Sequence, residues 1–216
     1  MSFPSYQRVI ERYGRLAHRY DRRWRAYTER ILLELLEALT LSGTERVLDV
    51  GCGTGEFERL VIERFPQLTL VGVDVTPAMV ELARQKLAGS PHVTFQVAQA
   101  ESLPFRGESF DVVVSANTLH HVRTPGQFAQ ECVRVLRPGG QIVIVDWCRD
   151  FWHCRLLHYW WTLVDPSYVQ MYRLQEAACL FEEADLTLEE TKRFTAPRGY
   201  GMMQLKGRKR SALSTF

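Results

Sequence analysis

The chain has 216 residues, 46% hydrophobic and 24% charged, with 14 glycines and 9 prolines, and this composition excludes collagen-like and disordered chains. Its net charge of +2 conceals two basic ends, because residues 1–30 carry +5, residues 206–216 carry +4 and the remainder carries −7. At roughly 100–200 residues per domain, the length favours a single domain over residues 1–216.

No segment predicts secretion or insertion into a membrane. The first residues have no apolar run behind their charges, so we expect no signal peptide. No apolar stretch reaches the roughly 18 residues that a membrane helix needs. The five cysteines are an odd number without metal-ligand spacing, which favours reduced thiols and a cytoplasmic location. His153, Cys154 and His158 are too few ligands for a metal, so we predict no metal site.

Residues 5–39 have a helical pattern, and we expect residues 1–42 to form a helical cap. Apolar side chains recur there at helical spacing, at Ile31, Leu32, Leu35, Leu36 and Leu39. The basic residues of this segment are expected on a solvated face. They would alternatively attract an anionic membrane, giving peripheral contact, or an anionic substrate.

Strands and helices alternate through residues 45–146. Short apolar runs typical of buried parallel strands are Arg46–Val50, Leu68–Val73, Val93–Val97, Phe110–Ser115 and Gln141–Val145. The helical patterns between them are Glu56–Phe65, Pro77–Leu87 and Pro125–Leu136, and the last two each follow a threonine that can cap the helix. This alternation predicts an α/β doubly wound, Rossmann-like sheet with helices on both faces.

The segment after the fifth strand is dense in aromatic residues. Residues 147–172 contain eight of the 24 Phe, Trp and Tyr residues: Trp147, Phe151, Trp152, Tyr159, Trp160, Trp161, Tyr168 and Tyr172. Such residues suit a wall for flat or lipophilic ligands, and equally a core or a dimer interface. We therefore assign residues 147–185 to a substrate lid, with a helix near Tyr172–Ala184, and residues 186–207 to a terminal pair of strands, Leu186–Phe194 and Tyr200–Lys206.

A glycine loop follows the first strand at Gly51–Gly55, and the next strand ends in Asp74. Glycines let the backbone turn close to a ligand, and a carboxylate at that strand end can accept ribose hydroxyls. Glu56 stands where a dinucleotide loop has its third glycine, and its charge would repel a pyrophosphate. Asp49, just ahead of the loop, favours a cationic ligand. An adenosine that carries an amino acid and a sulfonium therefore fits better than NAD.

These residues resemble the first motif of class I S-adenosylmethionine-dependent methyltransferases. Four further family motifs follow in order, at Val71–Met79, Ala100–Phe105, Phe110–Val122 and Arg134–Gly140. The chain is most similar to the small-molecule type, which includes methyltransferase type 11 and the ubiquinone and menaquinone biosynthesis enzymes. The resemblance implies S-adenosyl-L-methionine as cofactor and S-adenosyl-L-homocysteine as product. It also implies seven strands, mostly parallel, with a C-terminal antiparallel hairpin.

The resemblance further assigns residues to the cofactor. Gly51, Gly53 and Gly55 would face its methionine and ribose portions, Asp49 its ammonium group and Asp74 the ribose hydroxyls.

The other predicted contacts concern the adenine and the methyl group. Val75 and Met79 would flank adenine, and Asn117 would lie near the methionine end. Gln99 replaces a family acid that binds the adenine amine, and its amide oxygen can accept the same bond without charge. The remaining members of the predicted set are Cys52, Ala100 and Glu101.

Two histidines, His120 and His121, follow the fourth strand at the sheet edge where ligands bind. Histidine can act as a base near neutral pH. The resemblance places His121 beside the substrate and pairs it with a tyrosine of the N-terminal helix, for which Tyr20 is the candidate. Helix capping and packing are the alternative roles of the two histidines.

We therefore predict methyl transfer to oxygen, nitrogen or carbon of a hydrophobic or aromatic small molecule, with a quinone-like acceptor as the best single hypothesis. The alternatives are RNA or protein methylation through the basic termini, and cofactor binding without catalysis. Asn117-Thr-Leu-His stands where base-amine methyltransferases of nucleic acids have Asn/Asp-Pro-Pro-Tyr/Phe, which argues against a nucleic-acid base as acceptor. Monomer and homodimer remain open.

Overall fold

The computed structural model describes residues 6–165 and 167–211 and is organised around seven strands. The strands are β1 (Arg46–Val50), β2 (Thr69–Asp74), β3 (Val93–Val97), β4 (Phe110–Ala116), β5 (Leu136–Trp147), β6 (Leu186–Ala196) and β7 (Tyr200–Lys209). Their order in the sheet is β3-β2-β1-β4-β5-β7-β6. Neighbours among β1 to β5 are parallel, and β7 is antiparallel to both β5 and β6. The predicted Rossmann-like sheet and its C-terminal hairpin are confirmed.

Six α-helices accompany the sheet in the described residues. They are α1 (Gln7–Ala38), α2 (Glu56–Arg64), α3 (Pro77–Lys86), α4 (Pro125–Val135), α5 (Trp152–Val164) and α6 (Leu174–Glu182). Among these helices, none is long and apolar enough to span a membrane. The first five residues of the predicted cap, Pro166 in the predicted lid and the last five residues of the chain lie outside the described residues.

Both faces of the sheet are covered because consecutive strand residues point to opposite sides. In β1, Leu48 and Val50 join the core formed with α4 and α6. Val47 points the other way and joins the core formed with α1 and α2. Continuous apolar runs such as β1 are therefore explained by burial on both faces.

The predicted helices of residues 5–39 form a single helix of 32 residues, α1. Its C-terminal half packs on the sheet through Ile31, Leu32 and Leu35. Its N-terminal half continues beyond that contact, and its tyrosines Tyr13 and Tyr20 line a cavity together with the glycine loop. This helix therefore positions N-terminal residues at the site.

Two local predictions need correction. Thr76 and Thr124 occupy the N-cap positions of α3 and α4, but neither side chain caps its helix. The Thr76 hydroxyl is instead bonded to the side chain of Asp74. Strand β5 starts at Leu136 rather than Gln141, because Leu136 pairs with Phe110 before a bulge interrupts the ladder.

Candidate functional site

One cavity collects most of the predicted site residues. It lies between α1 and the loops that follow β1, β2 and β4. The predicted residues that line it are Tyr20, Asp49, Gly51, Cys52, Gly53, Asp74, Val75, Met79, Ala100, Asn117, His120 and His121. Of the predicted set, Gly55, Gln99 and Glu101 are not among its lining residues.

The glycine loop is fixed by the neighbouring strand. The backbone N–H groups of Gly51 and Cys52 donate to the Val73 carbonyl oxygen over 2.7 and 3.0 Å. Gly51 has φ +88°, and a Cβ there would lie 1.9 Å from Thr118 Oγ1. Gly53 has φ +54°, and a Cβ there would meet nothing within 4 Å. Gly51 is therefore required by packing, whereas Gly53 borders open space in the cavity.

The three predicted residues outside the cavity have other contacts. A Cβ on Gly55 would lie 3.1 Å from both Ala83 and Phe95, so this glycine lets the loop approach α3 and β3. Gln99 forms an isolated β-bridge with Ser102. Glu101 accepts a hydrogen bond from the Tyr6 hydroxyl and thereby links its loop to the start of α1. Ligand contacts of Gly55, Gln99 and Glu101 remain predictions.

Two carboxyl groups line the same cavity, those of the buried Asp49 and the partly buried Asp74. Burial, followed by the charge of Asp74, raises the pKa of Asp49 to about 8. Burial also raises the pKa of Asp74, although backbone N–H groups of Thr76 and Gly53 donate to its carboxylate over 2.7 and 3.0 Å. The Thr76 hydroxyl is bonded to the same carboxylate, which leaves one of its roughly four lone pairs for a ligand.

These features fit S-adenosylmethionine. A cationic ligand would offset the two neighbouring carboxylates, and this cofactor carries a sulfonium and an ammonium group. The remaining lone pair of Asp74 can accept a ribose hydroxyl, as carboxylates at this strand end do in Rossmann-like folds. Val75 and Met79 supply an apolar part of the lining, which suits a nucleobase.

The Asn117 side chain is held in place by two other side chains that line the cavity. Trp147 Nε1 donates to the Tyr27 hydroxyl over 2.8 Å, and that hydroxyl donates to Asn117 Oδ1 over 2.6 Å. Because its oxygen is occupied, the amide NH2 of Asn117 is left as the donor. The arrangement gives a hydrogen-bond donor of fixed position at the end of β4.

His121 is bonded at both ring nitrogens. Its Nδ1 lies 2.8 Å from the Ser167 carbonyl oxygen, which can only accept, so the proton is on Nδ1. Nε2 therefore accepts from the Tyr13 hydroxyl, 2.8 Å away. Burial, and next the adjacent His120, lower the pKa of His121 well below its ordinary value. The ring is a neutral base whose lone pair faces Tyr13.

The tyrosine partner of His121 differs from the prediction. Tyr13 makes this hydrogen bond, whereas the Tyr20 ring lies 6.0 Å from the Tyr13 ring. Tyr20 still lines the cavity, where burial raises its pKa to about 12. The predicted pairing of Tyr20 with His121 is therefore wrong, and a direct role for Tyr20 in the reaction stays a prediction.

His120 is oriented by a carboxylate. Its Nδ1 lies 2.7 Å from Asp146 Oδ1, so Nδ1–H donates to that carboxylate and Nε2 is the ring nitrogen that this contact does not use. The ring stacks on Trp147 at a centroid distance of 4.3 Å and an interplanar angle of 6°. This geometry fixes the ring and makes His120 a second candidate base.

A cluster of polar side chains fastens α1 to the glycine loop. Asp21 of α1 accepts from the Thr54 hydroxyl over 2.6 Å and pairs with Lys86 of α3 over 2.8 Å. Lys86 also pairs with Glu56, at the start of α2. The sequence patterns did not identify this cluster, which joins residues far apart in the chain.

The aromatic segment divides into an inner and an outer group. Trp147, Trp161 and Tyr168 line the cavity. Trp152, Tyr159 and Trp160 are exposed on α5. Part of the aromatic segment therefore lines the cavity and part faces away from it, and its role as a substrate lid stays a prediction.

The described residues contain no group of His, Cys, Asp or Glu side chains that could hold a metal ion. His158, one of the residues considered above, has its Nδ1 2.7 Å from the Tyr168 hydroxyl. That hydrogen bond gives His158 a structural contact beside the cavity.

Comparisons with known proteins identify methyltransferases as similar to this chain. Residues 48–144 match the family model described as "Methyltransferase domain". A ubiquinone/menaquinone biosynthesis C-methyltransferase of Geobacter sulfurreducens is 34% identical over 155 residues, 65% of this chain and 58% of the relative. A demethylmenaquinone methyltransferase of Deinococcus radiodurans is 37% identical over 153 residues, 65% of this chain and 60% of the relative. The chain thus spans about three fifths of the length of these curated relatives.

A solved structure supports the fold. Geranyl diphosphate methyltransferase in complex with S-adenosylmethionine superposes with a TM-score of 0.69 at 15% identity, over 82% of this chain and 84% of that chain. At this level of identity, the likeness bears on the fold alone.

Proposed function

We propose that the chain is a class I S-adenosylmethionine-dependent methyltransferase that methylates a hydrophobic aromatic small molecule with a quinone-like ring. The observation that carries the proposal is that Asp49 and Asp74 line one cavity together with the Tyr13–His121 pair and several aromatic side chains. The names of the two curated relatives add support for a quinone acceptor.

The cofactor supplies a methyl group bound to a positively charged sulfur, which is already a good leaving group. Asp49 would compensate the ligand's charge, and Asp74 would hold the ribose through its remaining lone pair. Asn117 would fix the methionine end by its NH2 group. The protein is then left with aligning the acceptor and removing a proton.

The acceptor would lie against the apolar part of the cavity. Trp147, Trp161 and Tyr168 line one part of it, and Val9 and Leu16 of α1 contribute aliphatic surface. Aromatic walls bury flat rings with little loss of side-chain freedom. In transfer to a ring carbon, a bond forms between that carbon and the methyl group, the methyl–sulfur bond breaks and the ring loses a proton.

Tyr13 and His121 would take that proton. The Tyr13 oxygen donates its own hydrogen to His121 Nε2 and keeps a lone pair for an incoming proton. Transfer along this pair would leave the proton on Nε2, next to the Nδ1–H that the Ser167 carbonyl holds. Burial raises the pKa of the Tyr13 hydroxyl, so the phenol would act as a relay and the imidazole as the base.

A lipophilic acceptor also gives the basic N-terminal helix a role in the proposal. Arginines on α1 would hold the chain at an anionic membrane surface, where such an acceptor is found. No contact in the site favours RNA or protein as the acceptor, so these remain outcomes of the test below.

The test is transfer of tritium from methyl-labelled S-adenosylmethionine to three pools: a soluble extract, a membrane extract and total RNA. We expect label in the lipid-soluble fraction of the membrane extract, and none when Gly53→Ala protein is used. Label confined to RNA or protein would overturn the small-molecule acceptor. Absence of label from every pool, with folded protein that binds the cofactor, would overturn catalysis.

A further inference from the structure

The helix α5 presents an apolar stripe to solvent. Its exposed fractions reach 73% for Trp152, 64% for Leu156, 67% for Tyr159 and 83% for Leu163. An α-helix turns by about 100° per residue, so positions 152, 156, 159 and 163 lie on one side of it. Cys154 and Trp161, on the opposite side, pack inward. Large exposed apolar patches on otherwise well-packed proteins mark interaction surfaces.

The neighbouring helix α1 presents a basic row. Arg8, Arg15, Arg19 and Arg22 are exposed, and their spacing of seven, four and three residues puts them on one side of the helix. At 1.5 Å per residue the row is about 21 Å long. The same helix turns its apolar residues to the sheet, so the row faces away from the core.

Arg12 connects the apolar stripe and the basic row. It lies about one turn from Arg8 and from Arg15 on α1. Its guanidinium carbon lies 5.9 Å from the centre of the Trp161 ring of α5, and it forms an ion pair with Asp165, just after α5. The apolar stripe and the basic row therefore belong to adjacent helices.

We propose that α5 lies in the headgroup region of an anionic lipid bilayer, with its apolar stripe inserted and the arginines of α1 bound to the lipid phosphates. Trp and Tyr suit this region because their rings are apolar and their polar atoms remain hydrated. A helix with Trp and Leu on one face and neighbouring cationic residues has the features of interfacial anchors. At 13 residues, α5 is about 20 Å long, which suits a helix lying along the surface.

A second copy of the chain is the competing occupant. An apolar stripe could also be buried in a dimer, but a two-fold interface about the stripe would bring the two like-charged arginine rows toward each other. Charge complementarity therefore favours an anionic lipid surface.

The position of α5 connects the bilayer to the cavity. Trp161 lines the cavity from the inner side of the helix whose outer side carries the stripe. A lipophilic acceptor would then need to pass only about the width of one helix, roughly 10 Å, to reach the site. Delivery of the acceptor from the bilayer to the cavity rests on the proposed function, whereas binding of the chain to the bilayer can be measured without methyl transfer.

The test is flotation of the whole chain with vesicles of phosphatidylcholine, with or without phosphatidylglycerol. We expect flotation only with the anionic vesicles, and salt should weaken it. The stripe variant Leu156→Ser/Leu163→Ser and the charge variant Arg15→Glu/Arg19→Glu should each bind at least about tenfold more weakly. Circular dichroism and thermal unfolding would verify that both variants are folded, as expected for exposed positions.

Matched controls separate the surface from general effects. Leu33→Ser changes an exposed leucine of α1 outside the stripe, and Arg64→Glu/Arg106→Glu changes the net charge equally at exposed positions elsewhere. Both controls should float like the wild type. Wild-type protein that does not float, or stripe variants that float like wild type, would overturn the proposal.

Two further readouts identify what else could cover the stripe. A wild-type dimer in light scattering that becomes monomeric in Leu156→Ser/Leu163→Ser, without vesicle binding, would assign the stripe to a second copy and overturn the proposal. The stripe variant should keep methyl transfer to a detergent-solubilised acceptor. Vesicle binding without any methyl transfer would instead contradict the proposed function and still support membrane binding by the apolar stripe and the basic row.

Discussion

The Tyr13 hydroxyl lies 2.8 Å from Nε2 of His121, on the side of the imidazole opposite the Ser167 carbonyl. Because the carbonyl fixes the proton on Nδ1, the lone pair of the ring is directed at the tyrosine. A residue near the start of the chain is thus bonded to one that follows the fourth strand. The contact makes α1 part of the proposed catalytic machinery.

Replacing either member of this pair should slow methyl transfer. For Tyr13→Phe and His121→Asn we expect kcat to fall by about 10²-fold or more, since positioned general bases contribute about 10²–10⁴. The dissociation constant of S-adenosylmethionine, measured by titration calorimetry, should change little. Tyr20→Phe is the matched comparison on α1, and His92→Gln replaces an exposed histidine. An equal loss of kcat in Tyr20→Phe would contradict the specific assignment of the proton relay to Tyr13.

The depressed pKa of His121 predicts acid sensitivity of the fold. The unfolded ring binds a proton near its ordinary pKa of about 6.5, whereas the buried ring stays neutral at lower pH. The stability contributed by the neutral ring is therefore present above pH 6.5 and is lost as the pH falls below it, by up to about 1.4 kcal/mol per pH unit. Asp49 and Asp74 have raised pKa values and act in the opposite direction.

Urea unfolding of wild type and His121→Asn from pH 7 to pH 5 isolates this contribution. The free energy of unfolding of the wild type minus that of His121→Asn should decrease as the pH falls, because the opposing contributions of Asp49 and Asp74 are common to both proteins. Parallel curves would contradict the assignment of a neutral buried ring.

The raised pKa of Asp49 predicts that cofactor binding releases a proton. With a pKa of about 8, the carboxyl group is largely protonated at pH 7, and a cationic ligand would favour its ionised form. Calorimetry at pH 7 in two buffers of different ionisation enthalpy should therefore give different apparent binding enthalpies. Asp49→Asn should abolish the difference and weaken binding by about 10–100-fold. Glu63→Gln, at an exposed position of α2, should keep both properties.

Replacing Gly51 by alanine should mainly lower stability, whereas replacing Gly53 should mainly weaken cofactor binding. Gly51→Ala places a Cβ against Thr118 at a positive φ, so we expect the free energy of unfolding to fall by about 2–5 kcal/mol. Gly53→Ala meets open space, so its stability should fall by only about 1–2 kcal/mol, whereas cofactor binding should weaken strongly. Gly89→Ala, with nothing within 4 Å and no positive φ, is the control. Unchanged cofactor affinity in Gly53→Ala would remove this glycine from the binding surface.

The bounds of the central strands could be predicted closely because a strand that is buried on both faces is a short continuous run of apolar residues. Strands β1 and β3 begin and end at the predicted residues, and β2 differs by one residue at each end. The glycine loop and Asp74 were also predictable, since each depends on backbone geometry that few residue types allow. By contrast, the prediction for β5 was too short. Its pairing at Leu136 lies beyond a bulge, and the hydrophobic pattern of the sequence does not indicate that bulge.

The partner of His121 could not be chosen from sequence. Tyr13 and Tyr20 are seven residues apart and lie on the same side of α1, so helical spacing does not distinguish them. The distance of each from His121 depends on how α1 crosses the sheet edge. That crossing is held by contacts distant in sequence, such as Asp21 with Thr54 and Lys86.

The two sides of the aromatic segment also could not be distinguished from the sequence. Trp152 and Trp161 are nine residues apart and lie on opposite sides of α5, one exposed and one at the cavity. Helical spacing separates them once the helix is known, but the count of aromatic residues alone did not indicate a helix there. The residues that line the cavity and the residues on the outer surface of α5 were therefore predicted as one aromatic segment.

The most direct test of the proposed function is product analysis with purified protein, S-adenosylmethionine and a reduced demethylated quinone in detergent. Mass spectrometry should find a quinone heavier by one methyl group and an equal amount of S-adenosylhomocysteine, with both products strongly reduced in Tyr13→Phe. Cofactor binding without either product, or methylated product formed equally well by Tyr13→Phe and His121→Asn, would contradict the account.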